Sequence, residues 1–203
     1  GDLSAAAELA AATGSSAVAA QHVSWGSIVL HDAVRFGRPD LVCDTLAAAA
    51  GSSVGAAYLT AAAEHARALT ERSPSALAAL VQTFARQGCP LLAAEVAAQL
   101  AAIRDADGQA TEAARAAAIS MTWEASCTGA DTPALRMRPA SVGHREWQVA
   151  AEAAAGATSR EIAERLFISV RTVDNHLGAM YRKLGLEGRS DLARFFTPGF
   201  SDS

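Results

Sequence analysis

TSREIAERLFISVRTVDNHLGAMYRKLGL, residues 158–186, carries the strongest run of local structural signals in this 203-residue chain. Thr158 and Glu161 stand as T-x-x-E, the spacing at which a cap hydroxyl and a third-residue carboxylate satisfy each other's backbone amides. A helix over SREIAERL is therefore predicted. Phe167 and Ile168 should form a turn, and Ser169 should cap a second helix that stops at Gly185. In that second helix Val173, Leu177, Met180 and Leu184 recur at helical spacing and define a core face. Arg171, Asp174, Asn175, Gly178 and Arg182 line the face beside it. A helix held to its predecessor by one side, with a polar side and a small residue free, suits insertion into a DNA major groove. Periodicity alone would also allow a merely solvated face.

The signals extend outward in both directions. Gly143 sits at an N-cap position with Glu146 three residues on, and the helix it opens should stop at Gly156. A short last helix is predicted to begin near Arg189 or Ser190. Upstream, TGADTPALRMRPASVG has Pro133, Pro139 and little periodicity, so residues 128–142 read as a linker. Arg136 and Arg138 within it are expected to be solvated rather than engaged with a DNA backbone.

Residues 1–127 read as an alanine-rich string of helices. Breaks are expected at Gly37-Arg38-Pro39, Gly51-Ser52-Ser53, Ser73-Pro74, Gly88-Cys89-Pro90 and Asp105-Ala106-Asp107-Gly108. Pro39, Pro74 and Pro90 each fall where a helix would start and a missing N–H costs least. Leu77, Leu80, Val81 and Phe84 make one apolar stripe, and Leu92, Val96, Leu100 and Ile103 another. RQG (86–88) and RDADG (104–108) resemble two versions of one turn. The expected class is all-α, with a helical-hairpin, tetratricopeptide-like array ahead of a four-helix unit at 143–203.

Composition supports that class. Apolar residues make up 51% of the chain and aromatics only 5%, so alanine carries much of the core, which favours closely packed helices over a sheet. Net charge is −4, but it divides unevenly: residues 1–139 hold nine basic and thirteen acidic side chains, residues 140–203 eight of each. DNA binding in such a chain must come from where arginines are placed rather than from bulk charge. No stretch reaches the length of a membrane span and no signal peptide is visible, so a cytoplasmic location is expected. Cys43, Cys89 and Cys127 lack ligand spacing and read as small buried side chains. There is no GxxxxGK[ST], HExxH or GxSxG, and His22, His31, His65, His144 and His176 stand apart in sequence. No catalytic, metal or cofactor site is expected.

The segment from Val142 to Phe196 resembles the LuxR-type (GerE-type) helix-turn-helix, on E-I-A at 161–163, the S-x-x-T-V-x-x-H run from Ser169 to His176, Y-R-K-L at 181–184, and Arg189. The resemblance implies a sequence-specific transcription regulator, not an enzyme, whose third helix (170–184) enters the major groove of double-stranded DNA. It implies that Asp174, Asn175 and Gly178 face bases, and that Thr158, Ser169, Arg171, Thr172, Arg182 and Lys183 lie near phosphates. It further implies a homodimer through the C-terminal domain on an inverted-repeat site. Two positions depart from the family pattern. Val142-Gly143-His144 lacks the usual cap and proline, and Asp174 stands where a lysine is common; an aspartate repels phosphates but can accept from cytosine N4. The helical array ahead of the domain resembles the C-terminal part of the large ATP-binding LuxR-type regulators, which implies an ATPase module before residue 1 of a longer protein. The array would then sense or relay a signal, with a protein or ligand partner. A protein-interaction adaptor is the alternative, and the polar face of the third helix argues against it.

Overall fold

The computed structural model describes residues 2–52 and 56–196. Among these residues lie twelve α-helices, one 3-10 turn and no strand, so the chain is all-α. The N-terminal seven are α1 (Leu3–Ala19), α2 (Val23–Arg35), α3 (Cys43–Ser52), α4 (Ala57–Thr70), α5 (Pro74–Arg86), α6 (Pro90–Ala106) and α7 (Ala110–Glu124). Pro74 and Pro90 open α5 and α6 as expected. Pro39 does not open an α-helix: it starts the 3-10 turn Pro39–Leu41, and α3 begins at Cys43. The break placed at Gly51-Ser52-Ser53 also moves, because α3 continues through Gly51 and Ser52; Ser53 lies outside the described residues.

Helices α1 and α2 pack closely through two glycines. A Cβ on Gly14 would sit 2.9 Å from the Gly26 carbonyl oxygen, and one on Gly26 2.9 Å from that of Gly14. Only glycine lets the two backbones approach this closely. The remaining helices pack in sequence order, α3 on α4, α4 on α5, α5 on α6 and α6 on α7, with α2 also against α4. The apolar stripe Leu77, Leu80, Val81 and Phe84 is buried as its spacing predicts. RQG and RDADG end α5 and α6 in the same kind of turn, with Gly88 at φ 71° and Gly108 at φ 72°.

The repeating distance is set by polar residues. His31 on α2, His65 on α4 and Gln99 on α6 are separated by 34 residues each, and they touch. His31 Nε2 lies 2.9 Å from His65 Nδ1, His65 Nε2 lies 2.8 Å from Gln99 Oε1, and His31 Nδ1 lies 2.9 Å from the Tyr58 hydroxyl. Gln99 Oε1 can only accept, which makes His65 Nε2 a donor and Nδ1 an acceptor. His31 then donates to His65 and accepts from Tyr58, a one-way chain of neutral groups across three helices. The expectation that the five histidines stand apart is thus corrected for His31 and His65. Both are fully buried. Burial first, then the neighbouring His65 and the Arg35 cation, holds the His31 pKa well below its ordinary value. Burial likewise brings His65 down to about 4. Beside this ladder Arg35 grips the buried Glu95 with Nε at 2.7 Å and Nη2 at 2.8 Å, and its Nη1 bonds Asp32 at 2.7 Å.

The segment after α7 contains a one-turn helix, α8 (Pro133–Arg136), packed on α6 with Ala134 and Leu135 buried. Arg136 pairs with Asp131, and Arg138 pairs with Glu124. Four helices follow: α9 (His144–Ala154), α10 (Ser159–Leu166), α11 (Val170–Leu184) and α12 (Arg189–Phe196). Their hydrophobic core is continuous with that of α4 to α7, so α7 serves both as the last helix of the array and as a support for α9 and α11. Among the described residues no helix is long and apolar enough to cross a membrane.

Candidate nucleic-acid interface

The local rules that define this region hold residue by residue. Thr158 Oγ1 accepts from the Glu161 amide at 3.3 Å, and Glu161 Oε2 accepts from the Thr158 amide at 2.7 Å, closing the capping box of α10. These bonds from the Thr158 amide and hydroxyl hold the Glu161 carboxyl below its usual range. Phe167 ends α10 in the left-handed conformation with φ 53°, and 94% of its surface is exposed. Ser169 Oγ accepts from the Thr172 amide at 3.0 Å and caps α11. Gly185, at φ 62°, ends α11. At α9 only half of a capping box forms, because Gly143 has no side chain: its amide donates to Glu146 Oε2 at 2.9 Å.

Val173, Leu177, Met180 and Leu184 are buried together with Val149 and Ala150 of α9 and Ile162 of α10. Their burial turns the other side of α11 outward, leaving Arg171, Asp174, Asn175 and Arg182 exposed and Gly178 half-buried between them. The array does not cover this surface. Arg171 and Arg182 are the only basic residues among those described that have neither an acidic partner within 4.0 Å nor a hydrogen bond. Gly178 is not required by the fold: a Cβ there would meet only Arg182 Nη1, at an ordinary 3.7 Å.

The other expected site residues are tied into the protein to differing degrees. Asp174 is exposed, yet its Oδ1 accepts from Ser159 Oγ at 2.9 Å and links α11 to the start of α10. Thr172 shares its hydroxyl with Ser169 at 2.7 Å. Lys183 points away from the exposed face and pairs with Glu146 at 2.6 Å. Burial pushes the Glu146 carboxyl up, but Lys183 and the Gly143 amide outweigh it and hold the pKa below the ordinary value.

Two further residues matter and carried no local signal. Arg115 of α7 donates from Nε to the Leu184 carbonyl at 2.8 Å, completing the C-terminus of α11. Trp147 Nε1 of α9 donates to Thr122 Oγ1 of α7 at 3.3 Å. A cation and a hydroxyl from the array thus fix the two helices of the C-terminal unit that lie nearest to it. Arg115 is 69 residues from its acceptor, a separation that no spacing rule reaches.

Residues 140–196 match the family described as bacterial regulatory proteins, luxR family. A similar curated protein is the transcriptional regulatory protein TdiR of Thauera aromatica, 40% identical over 62 residues. That match covers 30% of this chain and 27% of the relative, so the chain spans about a quarter of the length of the protein it resembles. No solved structure gives a significant match.

Proposed function

Because residues 140–196 form a LuxR-type helix-turn-helix domain, we propose that this chain is a sequence-specific DNA-binding transcription regulator whose α11 enters the major groove. One observation carries the proposal: the two arginines without any internal partner, Arg171 and Arg182, both project from the exposed face of α11. A cation left unpaired on a convex helix face is available to a phosphate. Asn175 lies between them in sequence and can offer a donor and an acceptor together to adenine. Gly178 supports the same reading. Glycine inside a helix costs about 0.8–1.0 kcal/mol relative to alanine, and the fold has room for alanine here. A smooth surface against the floor of the groove accounts for the exception.

In this reading Asp174, Asn175 and Gly178 face bases, and Thr158, Ser169, Arg171, Thr172 and Arg182 face phosphates. Lys183 contributes only if its pair with Glu146 opens. The working division is a regulatory unit at 1–127, a connection at 128–142 and a DNA-binding unit at 143–203. Two copies meeting through the C-terminal unit would match an inverted repeat, because a two-fold protein requires a two-fold operator. The array relays a signal from a protein or ligand partner through α7, and the contacts from Arg115 and Thr122 support that route.

The test is selection of bound duplexes from a random pool by the whole chain, beside a variant carrying Arg171→Ala and Arg182→Ala. Enrichment of one inverted repeat by the parent and loss of binding by the variant is expected. Failure of the folded parent to bind any duplex at low salt would overturn the proposal.

A further inference from the structure

Trp25 and Ile28 lie one helical turn apart on α2 and are 56% and 51% exposed. The 34-residue register gives these positions a meaning. Thirty-four residues on from Trp25 and Ile28 stand Leu59 and Ala62 of α4, and thirty-four further stand Ala93 and Val96 of α6. All four are buried, none more than 4% exposed. Leu59 and Ala62 share a core with Leu30, Ala33 and Val34 of the preceding α2. Ala93 and Val96 share one with Ala61 and Ala68 of the preceding α4. The equivalent face of α4 is therefore the one that receives α2.

We propose that the Trp25–Ile28 face of α2 is a docking surface for one further helix pair of this 34-residue kind, seated as α2 is seated against α4. In register, the face is the one with which α4 packs against α2. The opposite end of the array is closed, since α7 is covered by α9 and α11. Trp25 and Ile28 are the large apolar side chains that α2 leaves exposed, and burial is what favours them. Charge agrees: Asp32 and Arg35, the charged residues of α2, are bonded to each other, so the surface near Trp25 offers a partner little to pair with electrostatically. An apolar, small-residue helix face, such as the Leu30, Ala33 and Val34 face of α2 itself, is complementary to it.

The experiment joins a copy of residues 5–38, carrying Trp25→Phe within the copy, ahead of Gly1 of the whole chain. Hydroxyl-radical oxidation of the original Trp25 is then followed by peptide mass spectrometry in this chain and in the unmodified one. Protection of Trp25 is expected, with Tm raised on the order of 5–10 °C, and Ile28→Lys in the original α2 should abolish both. Unchanged oxidation of Trp25 in the extended, folded chain would overturn the proposal. So would protection of Trp25 in the unmodified chain as its concentration rises and its mass doubles, which would give the face to a second copy instead.

Discussion

The array and the C-terminal unit use polar side chains in opposite ways. In α2, α4 and α6 they point inward: His31, His65 and Gln99 are buried and bond one another in 34-residue steps, and the buried Glu95 is held by Arg35, 60 residues away. At the starts of α10 and α11 the capping side chains serve partners three residues away, as Thr158 does with Glu161 and Ser169 with Thr172, and Arg171 and Arg182 are left for the solvent. The first arrangement fixes one packing of alanine-rich helices that small side chains alone would specify poorly. The second sets helix ends locally and leaves a face available for recognition. The contrast indicates a rigid support whose chemistry is internal, joined to a reader whose chemistry is external.

The contrast can be broken most severely in the array. Arg35→Met strands the fully buried Glu95 carboxylate, which should cost about 3–5 kcal/mol of stability, read as a lower urea midpoint. The DNA affinity of the fraction still folded should be unchanged, because Arg35 is remote from α11.

Acid should have the next largest effect. His31 and His65 have folded pKa values below the unfolded value of 6.5, with His65 at about 4. The unfolded chain therefore takes up protons that the folded chain refuses. Stability is fully present above pH 6.5 and is lost as pH falls from 6.5 towards 4, by roughly 1.4 kcal/mol per pH unit for each histidine. Urea titrations at pH 7 and 5 would show it, and His65→Gln should flatten the dependence. A flat wild-type profile would mean that the ladder does not hold neutral histidines.

The C-terminal unit should respond in affinity rather than stability. Asn175→Ala should cost about 1–3 kcal/mol on the selected site and relax one base position. Equal loss on all sequences would remove Asn175 from the base readers. Arg182→Ala should weaken binding to every duplex and reduce the salt dependence by about one unit of slope. Both substitutions should leave the urea midpoint in place, since neither side chain has an internal partner to lose.

By itself the sequence determined the all-α class, the caps at Thr158, Ser169 and Gly185, the buried stripe of α11 and hence the exposure of Arg171, Asn175 and Arg182. Each follows from interactions within one or two helical turns, where spacing along the chain is nearly spacing in space. Tertiary structure alone decided that Asp174 is held by Ser159, that Lys183 turns back to Glu146, that Arg115 completes α11, and that His31, His65 and Gln99 share a single ladder. Their partners lie 15 to 69 residues away. The equal 34-residue steps from His31 to His65 to Gln99 were present in the sequence throughout. Two histidines and a glutamine do not look alike, however, and only the stacking of α2, α4 and α6 makes them equivalent: at the same register position each meets the next side chain in a site from which water is excluded, and there an unmade hydrogen bond is costly.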